Sequence, residues 1–229
     1  MAGRTFAVGD IHGCRTALET LCDSLKLTSE DTLIVLGDVV DRGPDSRGVI
    51  DLLLKMQEIC ELVMILGNHD EMLLSAFESK GNFEQWLMVG GREALDSYGQ
   101  RLSLIPESHL NFLRSAEGYH ETATEIFIHA NLEPGVPLPE QRSRWLRWEH
   151  LSGKESPHES GKRIICGHTQ QKSGKPLTWE GWVCLDTGAY RFNPLSCLEI
   201  ETNLLHRTDE NGKLYDTVPL SEIAETRGE

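Results

Sequence analysis

Thr32-Leu-Ile-Val-Leu-Gly-Asp-Val-Val-Asp-Arg-Gly43 decides how this chain is read. Residues 32–36 are apolar or β-branched in unbroken succession, as in a strand buried on both faces, and a glycine ends the run just before a carboxylate. The same pattern stands on either side. Thr5-Phe-Ala-Val8 runs into Gly-Asp10-Ile-His12, and Leu62-Val-Met-Ile-Leu66 runs into Gly-Asn68-His69-Asp70. Between these runs Leu18, Leu21, Cys22 and Leu25, then Val49, Ile50, Leu53 and Leu54, recur at the spacing of one helical face. Strand-helix-strand alternation predicts parallel pairing with right-handed crossovers.

Further along, residues 70–116 read mostly as helices broken at Gly81, Gly90-Gly91 and Gly99. Strands resume at Glu125–Ile128 and Arg163–Cys166, which end in His129 and Gly167-His168. Between them residues 133–162 are irregular and rich in proline and charge, a length that in compact domains is usually functional, and the reading places this loop over the site. The C-terminal third reads as antiparallel, with strands at Trp182–Leu185, Leu195–Glu201 and Leu204–Thr208, then a hairpin signal at Asn211-Gly212 before Leu214–Val218. The acidic end, Glu222 to Glu229, reads as a solvated tail, with residues 220–229 disordered. Residues 1–229 are expected to form one domain of mixed α/β class.

Composition narrows the partners. With 22 Lys+Arg against 36 Asp+Glu the formal charge is −14, which repels polyanions and anionic lipid, so neither nucleic acid nor a membrane surface is an expected partner. Hydrophobic residues at 39% and charged ones at 25% belong to a folded chain. No apolar run reaches the roughly 18 residues of a membrane span, and no signal-peptide core is present, so a cytoplasmic location is expected. Six scattered cysteines without a Cys-x-x-Cys pair read as reduced, mostly buried thiols.

The informative feature is that five apolar strands each end in metal-type residues: Asp10 and His12, Asp38 and Asp41, Asn68, His69 and Asp70, His129, and His168. Carboxyl ends of strands gather at one edge of such a sheet, so these distant residues converge. Left alone, such a cluster would be self-repulsive and desolvated; divalent cations resolve the conflict. The inventory suits two ions, and imidazole with carboxylate favours Mn, Fe or Zn over Ca or Mg. Singly, a Gly-Asp is often a turn and an Asn-His-Asp a helix cap. Five of them in one context are not. The glycines before Asp10, Asp38, Asn68 and His168 are expected to let the backbone bend out of each strand.

Through Gly9-Asp-Ile-His-Gly13, Gly37-Asp-Val-Val-Asp-Arg-Gly-Pro44, Gly67-Asn-His-Asp70, His129 and Gly167-His168, the chain resembles the calcineurin-like metallophosphoesterases over residues 5 to 190. Asp41-Arg42-Gly43, and Gly90-Gly91 followed by Ser97-Tyr98-Gly99, resemble the bacterial and phage serine/threonine protein phosphatases, although Val89 stands where those often have asparagine. The resemblance implies a two-sheet β-sandwich flanked by helices with two metal ions at the sheet edge. It implies Asp10, His12 and Asp38 on one ion and Asp38, Asn68, His129 and His168 on the other. A hydroxide bridging the two ions, most simply manganese, would attack phosphorus. His69 would protonate the leaving oxygen, held by Asp41, and Arg42 would clamp the phosphate. A second arginine is expected after His129; Arg147 fits best, with Arg142 and Arg144 competing.

The expected function is hydrolysis of phosphoserine or phosphothreonine in a protein, or of a small phosphoester. A symmetrical dinucleoside tetraphosphatase, which cleaves diadenosine tetraphosphate, is the nearest alternative; Asp41 disfavours it, because an anhydride leaving group needs less help from an oriented acid. A metal-binding interaction protein without turnover would need the ligands but neither acid nor clamp. A nucleic-acid phosphodiesterase would need a basic track. His109, His120, His150, His158 and His206 lack the strand-end context and read as surface or loop residues without a role.

Overall fold

The computed structural model describes residues 3–227. Two six-stranded mixed sheets face one another. The first contains β1 (Thr5–Val8), β2 (Thr32–Val35) and β3 (Glu61–Met64), parallel and adjacent as the alternation predicts. The second contains β4 (Tyr119–Glu121), β5 (Glu125–Ile128), β6 (Arg163–Cys166), β7 (Leu177–Trp179) and β8 (Trp182–Cys184), in the order β7-β8-β6-β5-β4. β9 (Leu195–Glu199), antiparallel to β1, then β10 (Leu204–Thr208) and β11 (Val218–Pro219), each antiparallel to the one before, extend the first sheet, and β12 (Glu225–Thr226) closes the far edge of the second. The expected antiparallel C-terminal third therefore holds throughout in the first sheet and only in part in the second, where β8 is antiparallel to β7 but parallel to β6, and β12 is parallel to β7.

Alternation along each strand builds the layers. Ala7, Ile34, Leu36, Phe127 and Ile165 point between the sheets, where they meet Val183, Leu198 and Leu205. Their neighbours Phe6, Val8, Leu33 and Val35 point outward, under the buried stripes of α1 (Arg15–Leu25) and α2 (Ser46–Met56). The same helical layer holds α3 (Asn68–Ser75), α4 (Lys80–Trp86), α5 (Arg92–Ser97) and α6 (Glu107–Arg114). On the outer face of the second sheet, Ile126, Ile128, Ile164 and Cys166 are covered by Leu132, Leu138, Leu146 and Leu151. Each such side chain contributes roughly 1.5–3 kcal/mol when fully buried.

That covering layer narrows the reading of residues 133–162 to the part that carries Arg147 and His150, which reaches the site. The segment contains α7 (Ser143–Trp148), and most of it lies along the second sheet because the apolar face there has no helix of its own to bury it. Residues 132–136 and 155–159 line a separate cavity with Trp182 that includes none of the predicted site residues. Two further expectations change. Gly81 lies inside α4, whose N-cap is Ser79, so the break falls earlier. His109 is no surface residue: its buried ring joins the Tyr98 hydroxyl at 2.8 Å to Asp51 at 3.1 Å, tying α6 to α2.

The acidic end is also ordered. Leu220 opens α8 (Leu220–Ile223) and is buried between the sheets, and β12 pairs with β7, although Ser221, Glu222 and Glu225–Arg227 are exposed. Residues 228–229 of the expected tail lie outside the described residues. Among the described residues no helix is long and apolar enough to cross a membrane, and the six cysteines are all free and buried.

Candidate metal centre and active site

β1, β2 and β3 end side by side in one sheet, β5 and β6 in the other, and the loops after all five meet at one rim. Of the nine non-glycine residues with positive φ among the described residues, five are site residues: His12, Asp38, Asp41, Arg42 and His168. A left-handed backbone is costly for a side-chain-bearing residue and persists where surrounding structure holds it, as at sites of function. Of the four glycines to which the sequence reading assigned that bending, Gly37 takes a positive φ of 99°, whereas Gly9, Gly67 and Gly167 do not. Gly67 and Gly167 serve another end: a Cβ on Gly67 would overlap Asp38 Oδ1, and one on Gly167 would overlap Asp10 Oδ1. Those glycines make room for the carboxylates.

Two groups form around Asp38. Ligand atoms of His12, Asp38 and His69 lie within 4.8 Å of one another, as do those of Asp38, His129 and His168. Asp10 stands at the edge of this cluster, its carboxylate accepting from the His168 N–H at 3.1 and 3.2 Å. Asn68 Oδ1 is 3.1 Å from His129 Nε2 and 3.0 Å from His168 Nδ1.

The donor set fits divalent cations. His129 Nδ1–H donates to the Leu36 carbonyl at 2.7 Å and His12 Nδ1–H to that of Val40 at 2.9 Å, which turns both Nε2 lone pairs toward the cluster. Metal-binding imidazoles are held this way by their other nitrogen. His129 Nε2 then confronts the Asn68 oxygen, acceptor against acceptor, and His168 Nε2 is buried with no partner at all. Burial, with neighbouring basic side chains, pushes the His12 and His168 pKa values down to about 3, and burial lowers His129 also, so all three imidazoles are neutral at pH 7, the form that can bind a metal ion. Burial also works to raise Asp38, but the imidazoles of His129, His69, His12 and His168 outweigh it and keep the carboxylate ionised.

One buried acid, Asp186, escaped the sequence reading of the site, and another, Asp70, stood among the strand endings without a role. Asp186, after β8, lies close enough to Asp10 for the carboxyls to share a proton; burial first, then Asp186 and Asp38, lift Asp10 well above the usual carboxylate range, while burial lifts Asp186 to about 7. Asp70 accepts from the N–H groups of Asp38, Val39 and Gly67 at 2.8, 3.0 and 3.1 Å, so it ties the β2 loop to the start of α3. The apolar strand read at Trp182–Leu185 runs directly into Asp186, a signal like that of the five endings which was available in the sequence, and Asp70 reads as part of a helix cap.

Beside the cluster, His69 Nδ1 is 2.8 Å from Asp41 Oδ2, both side chains buried. Burial lowers His69, but Asp38 and Asp41 outweigh it and raise it. Arg42 follows in the chain; its Nη1 donates to His12 Nε2 at 2.9 Å, and its guanidinium lies 5.0 Å from the Tyr190 ring centre. Arg147 also reaches the rim, paired with Glu71 at 2.9 Å, whereas Arg142 pairs with Glu133 and Arg144 with Glu149. Trp148 Nε1 donates to the same Glu71 at 2.7 Å. His150 stacks on His168 with ring centres 4.5 Å apart, so it belongs to the site's surroundings and not to a remote loop.

With this geometry in view, comparison with known proteins is informative. A family model described as calcineurin-like phosphoesterase matches residues 3–194. Serine/threonine-protein phosphatase 1 of Salmonella typhimurium is 38% identical over 210 residues, 86% of this chain and 91% of that protein. The symmetrical bis(5'-nucleosyl)-tetraphosphatase of Nitrosomonas europaea is 29% identical over 136 residues, and the match spans 57% of this chain but only 45% of the relative. Among solved structures, one named provisionally as a diadenosine tetraphosphatase aligns with TM-score 0.66 at 23% identity, covering 96% of this chain and 94% of that one. A cold-active protein-tyrosine phosphatase from a psychrophilic Shewanella aligns with TM-score 0.66 at 16% identity, covering 95% of this chain and 80% of the other. At those identities the two structures speak for the fold.

Proposed function

Because the chain belongs to the calcineurin-like phosphoesterase family, with motifs that fit its serine/threonine protein-phosphatase subgroup, we propose that it hydrolyses phosphoserine and phosphothreonine in proteins. The observation that carries this reading is the buried Asp41–His69 pair beside Arg42. An alkoxide is a poor leaving group and needs a proton as the P–O bond breaks, which an oriented imidazole supplies.

In this reading Asp10, His12 and Asp38 hold one divalent ion, and Asp38, Asn68, His129 and His168 hold another. Such ions, manganese on this proposal, draw the phosphoryl oxygens and make bound water acidic. The protein's own groups do the rest. Asp41 keeps the His69 Nδ1–H turned inward, which presents Nε2 to the leaving oxygen. Arg42 exchanges its hydrogen bond to His12 for a phosphoryl oxygen, and Arg147 offers a second guanidinium across the rim while Glu71 holds its other edge. Six free, buried cysteines suit the reducing environment of the cytoplasm.

The relatives named as symmetrical tetraphosphatases favour one alternative, cleavage of a dinucleoside tetraphosphate. A turnover panel on manganese-loaded enzyme separates the two. A phosphoserine peptide is expected to be hydrolysed faster than diadenosine tetraphosphate, with both activities lost on chelation and restored by manganese. Faster cleavage of the dinucleotide would replace the first reading by the second, and turnover that survives complete metal removal would end both.

A further inference from the structure

Trp86 and the glycine pair after it take no part in the chemistry above, yet they touch two of its residues. α4 ends at Trp86, whose side chain is fully buried and whose Nε1–H is shared between the two Asp41 oxygens at 2.9 and 3.0 Å. The chain then kinks over Leu87–Gly91, where Gly90 leaves helical geometry with φ 120°. The Gly90 carbonyl accepts from the Arg42 N–H at 3.0 Å. Gly91 has to be glycine for the indole's sake, since a Cβ there would overlap the Trp86 ring. Residues 86–91 thus hold Asp41 by its side chain and Arg42 by its backbone. Those two residues have φ 73° and 65°, a backbone that reverts unless its surroundings constrain it.

We infer that Trp86 is a positioning residue of the reaction: its indole N–H fixes the Asp41 carboxylate, which in turn fixes the His69 imidazole. The inference rests on the proposed role of His69 as the acid. Indole nitrogen only donates, so its single proton orients the carboxylate without competing for His69. Asp41 is fully buried, so removal of the donor leaves its carboxylate short of a hydrogen bond made inside the protein. A residue that merely filled the core would affect every substrate alike. One that keeps the acid aligned matters most when the leaving oxygen is strongly basic.

The test compares wild type, Trp86→Phe and His69→Asn, all manganese-loaded and folded by circular dichroism, on monoesters from 2,4-dinitrophenyl phosphate to a phosphoserine peptide. Trp86→Phe keeps an aromatic ring, smaller than the indole, and loses the donor. General acids contribute about 10²–10⁴-fold, so Trp86→Phe is expected to lose roughly tenfold in kcat on the peptide, clearly less on the dinitrophenyl ester, with KM nearly unchanged. His69→Asn should show the same steepened dependence, more strongly. An equal loss on every ester, or no loss, overturns the inference for Trp86 while leaving His69 in place if its variant does steepen. A wild-type dependence in His69→Asn removes the acid itself, and the inference with it. Should Trp86→Phe fail to fold, Gly91→Ala, which pushes the indole off Asp41, is expected to steepen the dependence too, and a uniform loss there overturns the inference.

Discussion

Asp38 shows what one residue is asked to do at this rim. It belongs to both ligand groups, its amide is held by Asp70, and its Oδ1 accepts from the His69 N–H at 2.9 Å. Gly67 leaves room for that carboxylate. Gly67→Ala is therefore expected to displace Asp38 and weaken metal binding by about 10–100-fold, the usual cost of disturbing a ligand's support, while the fold melts cooperatively as before. Titration with manganese followed by calorimetry measures it; wild-type affinity would show that the loop can yield without moving Asp38. At this scale the ligand types were legible in the sequence, because Asp, Asn and His after a strand have few other uses when five such endings coincide. The contacts of Asp186, Trp86 and His150 were not. With Asp10, Asp41 and His168 they span 176, 45 and 18 positions, and periodicity carries no information about such pairings.

Elements with a buried face were read almost to the residue. Thr5–Val8 and Arg163–Cys166 are strands as expected, their short apolar runs buried within a sheet, and Leu204–Thr208 is one too, with Leu205 and Thr208 buried. Edges were harder. Tyr119–Glu121 and Leu177–Trp179 went unread, being short and partly polar, as strands near a sheet margin are. The Asn211-Gly212 turn forms, with Asp209 accepting from the N–H groups of Asn211 and Lys213 at 3.0 Å, but Leu214 meets Thr208 in a single bridge and is half exposed, so no strand runs from 214 to 218. Leu220 lies beyond that point, in what reads as a tail, yet it fills space between the sheets. Leu220→Ala is expected to destabilise the protein by about 2–3 kcal/mol, toward the low end for a buried leucine because Ile223 and Ala224 can settle inward. Urea unfolding measures it; a change below about 0.5 kcal/mol, the range of surface substitutions, would return the segment to the status of a tail.

Across the whole molecule the charge of −14 and the crowding of Asp10, Asp38 and Asp186 at one rim work against compactness. Cations that bind only the folded state relieve both. At 100-fold excess over its dissociation constant a ligand adds about 2.7 kcal/mol, so manganese is expected to raise the melting temperature by roughly 5–10 °C, and chelation to reverse it. An unchanged melting curve would mean that no ion is held in the rim. By itself the sequence determined the strand-helix alternation, the five endings and the chemistry of their side chains, since hydrophobic period and residue type are local properties that survive translation into any fold. The two-sheet arrangement was expected from the family resemblance; only the tertiary structure decided which strands share each sheet, that much of the long loop covers the second sheet, and that an indole stands against Asp41. Those facts depend on which apolar faces find each other in three dimensions, and the free energy of that choice belongs to no single stretch of chain.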